Sequence, residues 1–363
     1  MLSNLNQLER ITQDRVIQLF RQDLGYEYLG NLHDQNNKNI NPDVLIHWLK
    51  KQGYSATLIT KALRQLDMAA ALGDGKALYQ ANQAVYNLLR YGIKESEGAG
   101  QQNQTIWLID WKNPENNHFA VAEEVSIHGE NNKRPDVVLY VNGIALGVLE
   151  LKRSTVSVSE GIRQNLDNQK KTFIRNFFTT MQLVMAGNDN QGLRYGTIET
   201  PEKYFLQWKE EGVSNPYANS LDLHLSLICN KQRFLHIIHD FMVFDAGTKK
   251  TCRHNQFFGI EAAKQRIAQR EGGIIWHTQG SGKSLTMVWL AKWLRENKNA
   301  RVLIVTDRTE LDEQIEKVFS GVGESIYRTK SGADLLDTLN QHTQSLICTL
   351  VHKFGRQGDD DTT

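Results

Sequence analysis

Apolar side chains recur at helical spacing over residues 3–20, at Leu5, Leu8, Ile11, Val16, Leu19 and Phe20, and Ser3 is placed to cap such a helix. A second helical block follows Pro42, with Val44, Leu45, Trp48 and Leu49 within a turn and a half, and residues 58–91 continue in the same style. Two or three helices are therefore expected across residues 41–91. The run GAGQQNQ at 98–104 reads as a loop, and beyond it the pattern changes to strands at 105–111, 119–127, 136–141 and 144–151. Asn142-Gly143 between the last two is a strong hairpin signal. Helical periodicity returns after Ser159, and residues 188–196 form a polar, Gly-containing break. A second boundary falls at AGTKK, 246–250, after which helix and strand alternate as in a parallel sheet. No internal repeat or low-complexity tract interrupts this order.

Composition changes the picture little. Of 363 residues, 40% are hydrophobic and 23% charged, and the formal net charge is +1, so no global basic field points to nucleic acid. Cys229, Cys252 and Cys348 are far apart and form no CxxC pair, which speaks against a zinc site or disulfide framework and fits a reducing cytoplasm. The first twenty residues contain acidic side chains and no apolar core of the signal-peptide kind. No apolar run approaches the roughly eighteen residues a membrane span requires, and no membrane partner is expected.

The sharpest chemistry lies in GGIIWHTQGSGKSLTMVWLAKWL. Ile274, Ile275 and Trp276 read as a short strand, residues 277–282 as a turn, and Lys283-Ser284 as the start of an amphipathic helix through Leu285, Val288, Leu290, Ala291 and Leu294. Glycines let backbone N–H groups close on phosphate oxygens, and a helix N-terminus adds positive potential. Thr278, Gly280, Ser281 and Gly282 would form that cradle for ATP, with Lys283 on the β- and γ-phosphates and Ser284 on Mg2+. His277 stands where the general GxxxxGK[ST] pattern has its first glycine.

Residues 301–306 then read as a buried parallel strand with Asp307-Arg308-Thr309 at its carboxyl end, either a ligand-facing edge or an ordinary strand-to-helix loop. An apolar strand ending in an Asp for Mg2+ is absent; Asp359-Asp360-Asp361 follows a polar run and reads as a tail. Poor ATP binding and hardly any hydrolysis are expected of this chain alone.

In KRPDVVLYVNGIALGVLELKR, Asp136 opens one strand and Glu150-Leu151-Lys152 closes the next. A strict two-residue turn sets Asp136 opposite Leu149, whereas a three-residue turn with a bulge sets it opposite Glu150. We expect the second register. Alternation puts Glu150 and Lys152 on one face in either case. Two carboxylates and a lysine suit phosphodiester hydrolysis: Asp136 and Glu150 would hold Mg2+, and Lys152 would orient or help deprotonate water. Alone, the pattern reads more readily as a cross-strand ion pair on a solvated face; the nucleotide loop downstream favours the nuclease. On the following helix Gln164 and Asn168 share a face, and Arg163, Lys170, Lys171 and Arg175 make either a phosphate-tracking surface or a solvated one.

Together, ERITQDRVIQLF…LGYEYLG, RPDVVLYVNGIALGVLELKRS, FDAGTKKTCRHNQFF, HTQGSGKS, VTDRTELDEQI and TLVHKFG resemble the endonuclease (R) subunit of type I restriction enzymes, HsdR, over essentially the whole chain. The resemblance implies an α/β fold in which a PD-(D/E)xK nuclease-like domain, residues 1–245, precedes a RecA-like, superfamily 2 helicase parallel-sheet domain, residues 246–363, truncated before its DEAH box. It makes Asp136, Glu150 and Lys152 the nuclease triad. Gln164 opens a QxxxY element, with Asn168 where the tyrosine is expected. Gln256 is placed near adenine, Lys283 and Ser284 on the triphosphate and Mg2+, and His277 is normal for the family. Double-stranded DNA and the methyltransferase (M) and specificity (S) subunits are the implied partners. A repair-type helicase-nuclease and a non-catalytic DNA- or nucleotide-binding remnant stay open as other readings.

Overall fold

The structure is a computed structural model and describes residues 2–73, 75–341 and 343–355. Asp359-Asp360-Asp361, read above as a polar tail, lies outside the described residues. The chain divides into two compact units, Met1–Met242 with Thr248–Thr251, and Val243–Gly247 with Cys252–Thr363.

The first unit opens with helix α1 (Leu2–Gln22), which starts ahead of Ser3, so Ser3 lies in its first turn instead of capping it. Val16, Leu19 and Phe20 are buried as expected, and Ile17 with them, but Ile11 is 61% exposed and the polar Thr12 and Gln13 are buried in its stead. The stripe is displaced because Gln13 has hydrogen-bond partners inside, described below. Strand β1 (Glu27–Asn31), not anticipated by the pattern, leads to helices α2 (Pro42–Lys51), α3 (Ala56–Ala70) and α4 (Leu78–Tyr91). Asn41 caps α2 by accepting from Val44 N, with Pro42 at a position that needs no N–H, and Ser55 caps α3 by accepting from Leu58 N.

Residues 105–111 are not one strand. A short antiparallel pair, β2 (Ile93–Glu95) and β3 (Gln104–Ile106), ends at Ile106. Beyond it side-chain amides take the backbone groups: Asp110 N donates to Asn117 Oδ1 at 2.8 Å and Leu108 O accepts from Asn142 Nδ2 at 2.9 Å.

A mixed six-stranded sheet forms the centre, built from β1, β4 (Phe119–Glu123), β5 (Val137–Val141), β6 (Ile144–Leu151), β7 (Leu183–Asn188) and β8 (Gly192–Gly196), paired in that order. Helix α5 (Val158–Asn168) is the crossover between the parallel strands β6 and β7. Strands β4 to β7 are buried at every residue, which is why they read as unbroken apolar runs. The expected polar break at 188–196 is the β7–β8 hairpin, closing at Asn188 opposite Gly192. Helices α6 (Ser220–Ile228) and α7 (Lys231–Asp240) follow.

The β5–β6 hairpin reaches the expected register by another route. Asn142 and Gly143 have φ of 52° and 82°, and Val141 pairs with Ile144, so the turn holds two residues, not three. Asn142 clamps it, accepting from His118 N and donating to Leu108 O and Asn117 Oδ1. The surplus residue is absorbed inside β6: Tyr140 pairs with Ala145 but Leu139 with Gly147, leaving Leu146 as a bulge. Gln182 N donates to the Leu146 carbonyl at 2.7 Å and Thr180 Oγ1 to that of Ala145 at 2.7 Å. Gly147 allows the neighbours to close in, since a Cβ there would sit 3.3 Å from Leu139 Cδ1. Val137 then pairs with Leu149, and the next step sets Asp136 across from Glu150.

After strands β9 (Met242–Asp245) and β10 (Thr248–Thr251) the chain continues into the second unit. It contains α8 (His254–Ala268), α9 (Lys283–Lys298), β11 (Val302–Thr306), α10 (Thr309–Gly321), β12 (Tyr327–Arg328), α11 (Gly332–Gln341) and β13 (Leu346–Leu350). Its three strands are parallel in the order β11-β13-β12. Two expectations fail here. Residues 274–276 form no strand, and Ile274 and Trp276 are each 89% exposed; no strand among the described residues supplies the ladder partners a strand needs. For the same reason β11 is an edge strand rather than a buried one, with Leu303 and Val305 partly in solvent.

Gly143 offers a direct test of the turn. A Cβ there would sit 2.7 Å from Asn41 O at a φ that disfavours side chains, so Gly143→Ala is expected to destabilise the first unit by about 2–5 kcal/mol, read from its urea midpoint.

Candidate active site

The bulge brings Asp136, Glu150 and Lys152 together. Asp136 Oδ2 accepts from Leu151 N at 2.7 Å, a side-chain bond across the hairpin that ties the carboxyl to the strand carrying Glu150. The Asp136 and Glu150 carboxyls lie close enough for the charge of one to act on the other. Glu150 is fully buried; its Oε1 accepts from Asn168 Nδ2 at 3.3 Å, while among the described residues no donor reaches Oε2. Lys152 donates to its neighbour's carbonyl, Leu151 O, at 3.0 Å, and its charge acts on both carboxyls.

The electrostatics follow from burial. Desolvation pushes the Asp136 carboxyl up to about 6, against the pull of the Lys152 ammonium and the Leu151 N–H. Glu150 is held well above the ordinary carboxylate range, first by desolvation and then by the Asp136 charge. An acceptor left without a donor in such a place is costly unless something positive enters. A divalent cation meets that requirement. Among the described residues no three His, Cys, Asp or Glu side chains converge as a metal cluster; Asp136 and Glu150 are the two carboxylates that could hold a cation here.

Asp136, Lys152 and Gln164 open onto one cleft of ≈ 1010 Å³. Its walls carry Arg10, Lys133 and Arg134, cations already engaged: Arg10 with Glu123, Arg134 with Glu124, and Lys133 over the Phe173 ring at 4.3 Å. Pattern reading missed the device behind the Asp136 strand. Gln13 on α1 donates to Glu123 Oε2 at 3.0 Å and to Asp136 O at 3.3 Å, and Glu123 also takes Arg10 and Tyr28. Glu124, with φ of 52°, donates its N–H to the same Asp136 carbonyl. A buried polar residue on an amphipathic helix was the one available signal, and periodicity alone assigns such a residue outward. On α5 and beyond, Arg163 pairs with Glu202, Lys170 with Asp167 and Arg175 with Glu199, which favours a solvated face over a phosphate-tracking one.

In the second unit Gly280 and Gly282 have φ of 77° and 88°, and Gly282 caps α9 directly before Lys283. Lys283 Nζ donates to His277 O and Thr278 O at 3.3 and 3.1 Å, and Ser281 Oγ to Thr278 O at 2.7 Å. Ser284 is half-buried one residue on. Gln256, 2% exposed, uses both ends of its amide locally: Oε1 accepts from Arg253 N and Nε2 donates to Gly282 O at 2.9 Å. Arg253 adds a bond to Gly280 O at 3.1 Å. The first turn of α8 therefore buttresses the loop from behind.

Linkage gives the first-unit site a stability signature. Both carboxyls are raised above their unfolded values, so their contribution is complete below the ordinary carboxylate range and is lost as pH rises through the raised values, about 6 for Asp136. Metal-free chain should lose thermal stability between pH 5 and 8 relative to Asp136→Asn. Mg2+ should restore the wild type at pH 8 and have little effect at pH 5, as scanning fluorimetry across that range would read; parallel pH curves for the two proteins would contradict the burial argument.

With this geometry in view, the likenesses to known proteins fall into place. A family model described as type I restriction enzyme R protein N terminus matches residues 6–203, and one described as SWI2/SNF2 ATPase matches residues 255–363. The chain is 28% identical to the candidate type I restriction enzyme MjaIXP endonuclease subunit of Methanocaldococcus jannaschii, over 89% of this chain and 33% of that protein. It is 28% identical to the type I restriction enzyme HindI endonuclease subunit of Haemophilus influenzae, over 97% and 36%, and 24% identical to the SauMSSORF170P endonuclease subunit of Staphylococcus aureus, over 78% and 30%. It thus spans about a third of the length of the curated relatives it matches. No helix among the described residues is long and apolar enough to cross a membrane. The chain belongs to the family of type I restriction enzyme R proteins, whose N-terminal region its first unit carries.

Proposed function

We propose that this chain supplies the nuclease site and part of the nucleotide site of a type I restriction enzyme, cutting double-stranded DNA with Mg2+ in the first unit. The observation that carries the proposal is the buried Asp136–Glu150 pair with an acceptor, Glu150 Oε2, that no donor among the described residues satisfies. Asp136 and Glu150 would hold the cation, which when bound polarises the phosphate and lowers the pKa of its water. Lys152, in the same cleft, would donate a hydrogen bond to the attacking water and so orient it, and its charge would offset negative charge gathering at the phosphate. Gln164, on the cleft wall, binds the DNA backbone through its amide. Asp136's link to Leu151 N keeps the carboxyl aimed while DNA enters.

In the second unit Thr278, Gly280, Ser281, Gly282 and Lys283 would take the triphosphate of ATP, Ser284 its Mg2+, and Gln256 would act through the loop it buttresses. A triphosphate would replace the two loop carbonyls now satisfying Lys283. Coupling of cleavage to ATP-driven translocation, and assembly with methyltransferase and specificity subunits in the cytoplasm, belong to the whole subunit in this reading. The SWI2/SNF2 ATPase match and the relatives' names support them.

Supercoiled DNA incubated with the chain and Mg2+ should be nicked, with Asp136→Ala and Lys152→Ala each slower by about two orders of magnitude or more. Equal nicking by all three removes the nuclease. Separately, Lys283→Ala should weaken binding of a fluorescent ATP analogue by about tenfold or more and leave nicking unchanged.

A further inference from the structure

Asn168 closes α5, is 1% exposed, and donates its Nδ2 to Glu150 Oε1. Among the described residues neither its own Oδ1 nor Glu150 Oε2 has a donor, so one hydrogen bond joins two buried groups that each keep an unsatisfied acceptor. Gly161, two turns earlier, lets the helix lie this close to the sheet: a Cβ there would stand 3.1 Å from Ala186 Cβ and 3.5 Å from Glu150 Cβ. Asn165, on the same helix face, is as deeply buried and likewise leaves its Oδ1 without a donor among the described residues, but it donates to a strand carbonyl, Met185 O, at 2.8 Å. The two amides are therefore sorted, one serving the β7 backbone and the other addressing Glu150.

A carboxylate with one oxygen held by an N–H cannot rotate without losing that bond, so Oε2 is the oxygen left to meet a cation. A buried acceptor beside it is suited to a water molecule that Mg2+ carries in with it. We infer that Asn168 is a positioning residue of the cation site: its amide locks Glu150 with Oε2 presented to hydrated Mg2+ and offers Oδ1 to a coordinated water. This rests on the reading of Asp136 and Glu150 as the cation's carboxylates.

The test needs neither DNA nor ATP. The full chain at pH 8 is titrated with Mg2+ and the rise in melting temperature gives a midpoint. Asn168→Ala should move that midpoint up by about tenfold or more, and Asn168→Leu, which fills the space while removing both polar functions, should do the same where the smaller side chain compromises folding. Asn165→Ala should lower the metal-free melting temperature and leave the midpoint at the wild-type value. A wild-type midpoint in both Asn168 variants overturns the inference alone; a wild type indifferent to Mg2+ overturns the nuclease reading and the inference with it.

Discussion

Between the Asn142-Gly143 turn and the site, β6 carries one residue more than β5, and the chemistry of the first unit depends on where that residue goes. With no surplus, Asp136 would face Leu149 and Glu150 would turn to the other side of the sheet. The bulge at Leu146 shifts the pairing by one and puts the two carboxyls opposite each other. It is held by donors from the segment leading into β7, Thr180 Oγ1 and Gln182 N. Site geometry is thus fixed by backbone hydrogen bonds several residues away from the groups that use it.

Placing the pair between buried strands has an electrostatic consequence. Desolvation raises both carboxyls, and mutual proximity raises Glu150 further. Lys152 opposes this without cancelling it. Such an arrangement is unfavourable for a scaffold and useful for a site, because it turns the affinity for positive charge into something stored in the fold. The surrounding polar groups are consistent with that: Gln13 holds Asp136 by its backbone, Leu151 N holds it by its carboxyl, and Asn168 holds Glu150.

Much of this was readable in the chain, for identifiable reasons. Strands β4 to β6 are buried on both faces, so their apolar runs are continuous, and the Asn-Gly pair marks their turn. The register outcome was readable, its cause was not: a pattern shows that a residue is surplus but not whether the turn or the strand absorbs it. Asn142 decides, by committing its amide to Leu108 O and Asn117 Oδ1 and so tightening the turn. Strand β1 and the β7–β8 hairpin were missed because EYLGN and GNDNQGLRYG carry the polar and glycine residues of loops. Gln13 and Asn168 were opaque as buried groups, since a polar residue at helical spacing points outward by default unless its partner is known.

The second unit shows the same limit from the opposite side. Its loop motif is sharp enough to place Lys283 and the glycines without a structure, and Gly280 and Gly282 do adopt the left-handed backbone that motif requires. Yet the strand that should deliver the loop is absent at 274–276, and Ile274 and Trp276 lie in solvent. The loop keeps its form through support the motif does not encode. Arg253 and Gln256 donate to the carbonyls of Gly280 and Gly282, and the space next to Gly282 is so closely filled that a Cβ would lie 2.4 Å from Gln256 Nε2. A glycine that permits an unusual φ and a glycine that admits a neighbouring amide are then the same residue, and Gln256 shapes the loop from behind.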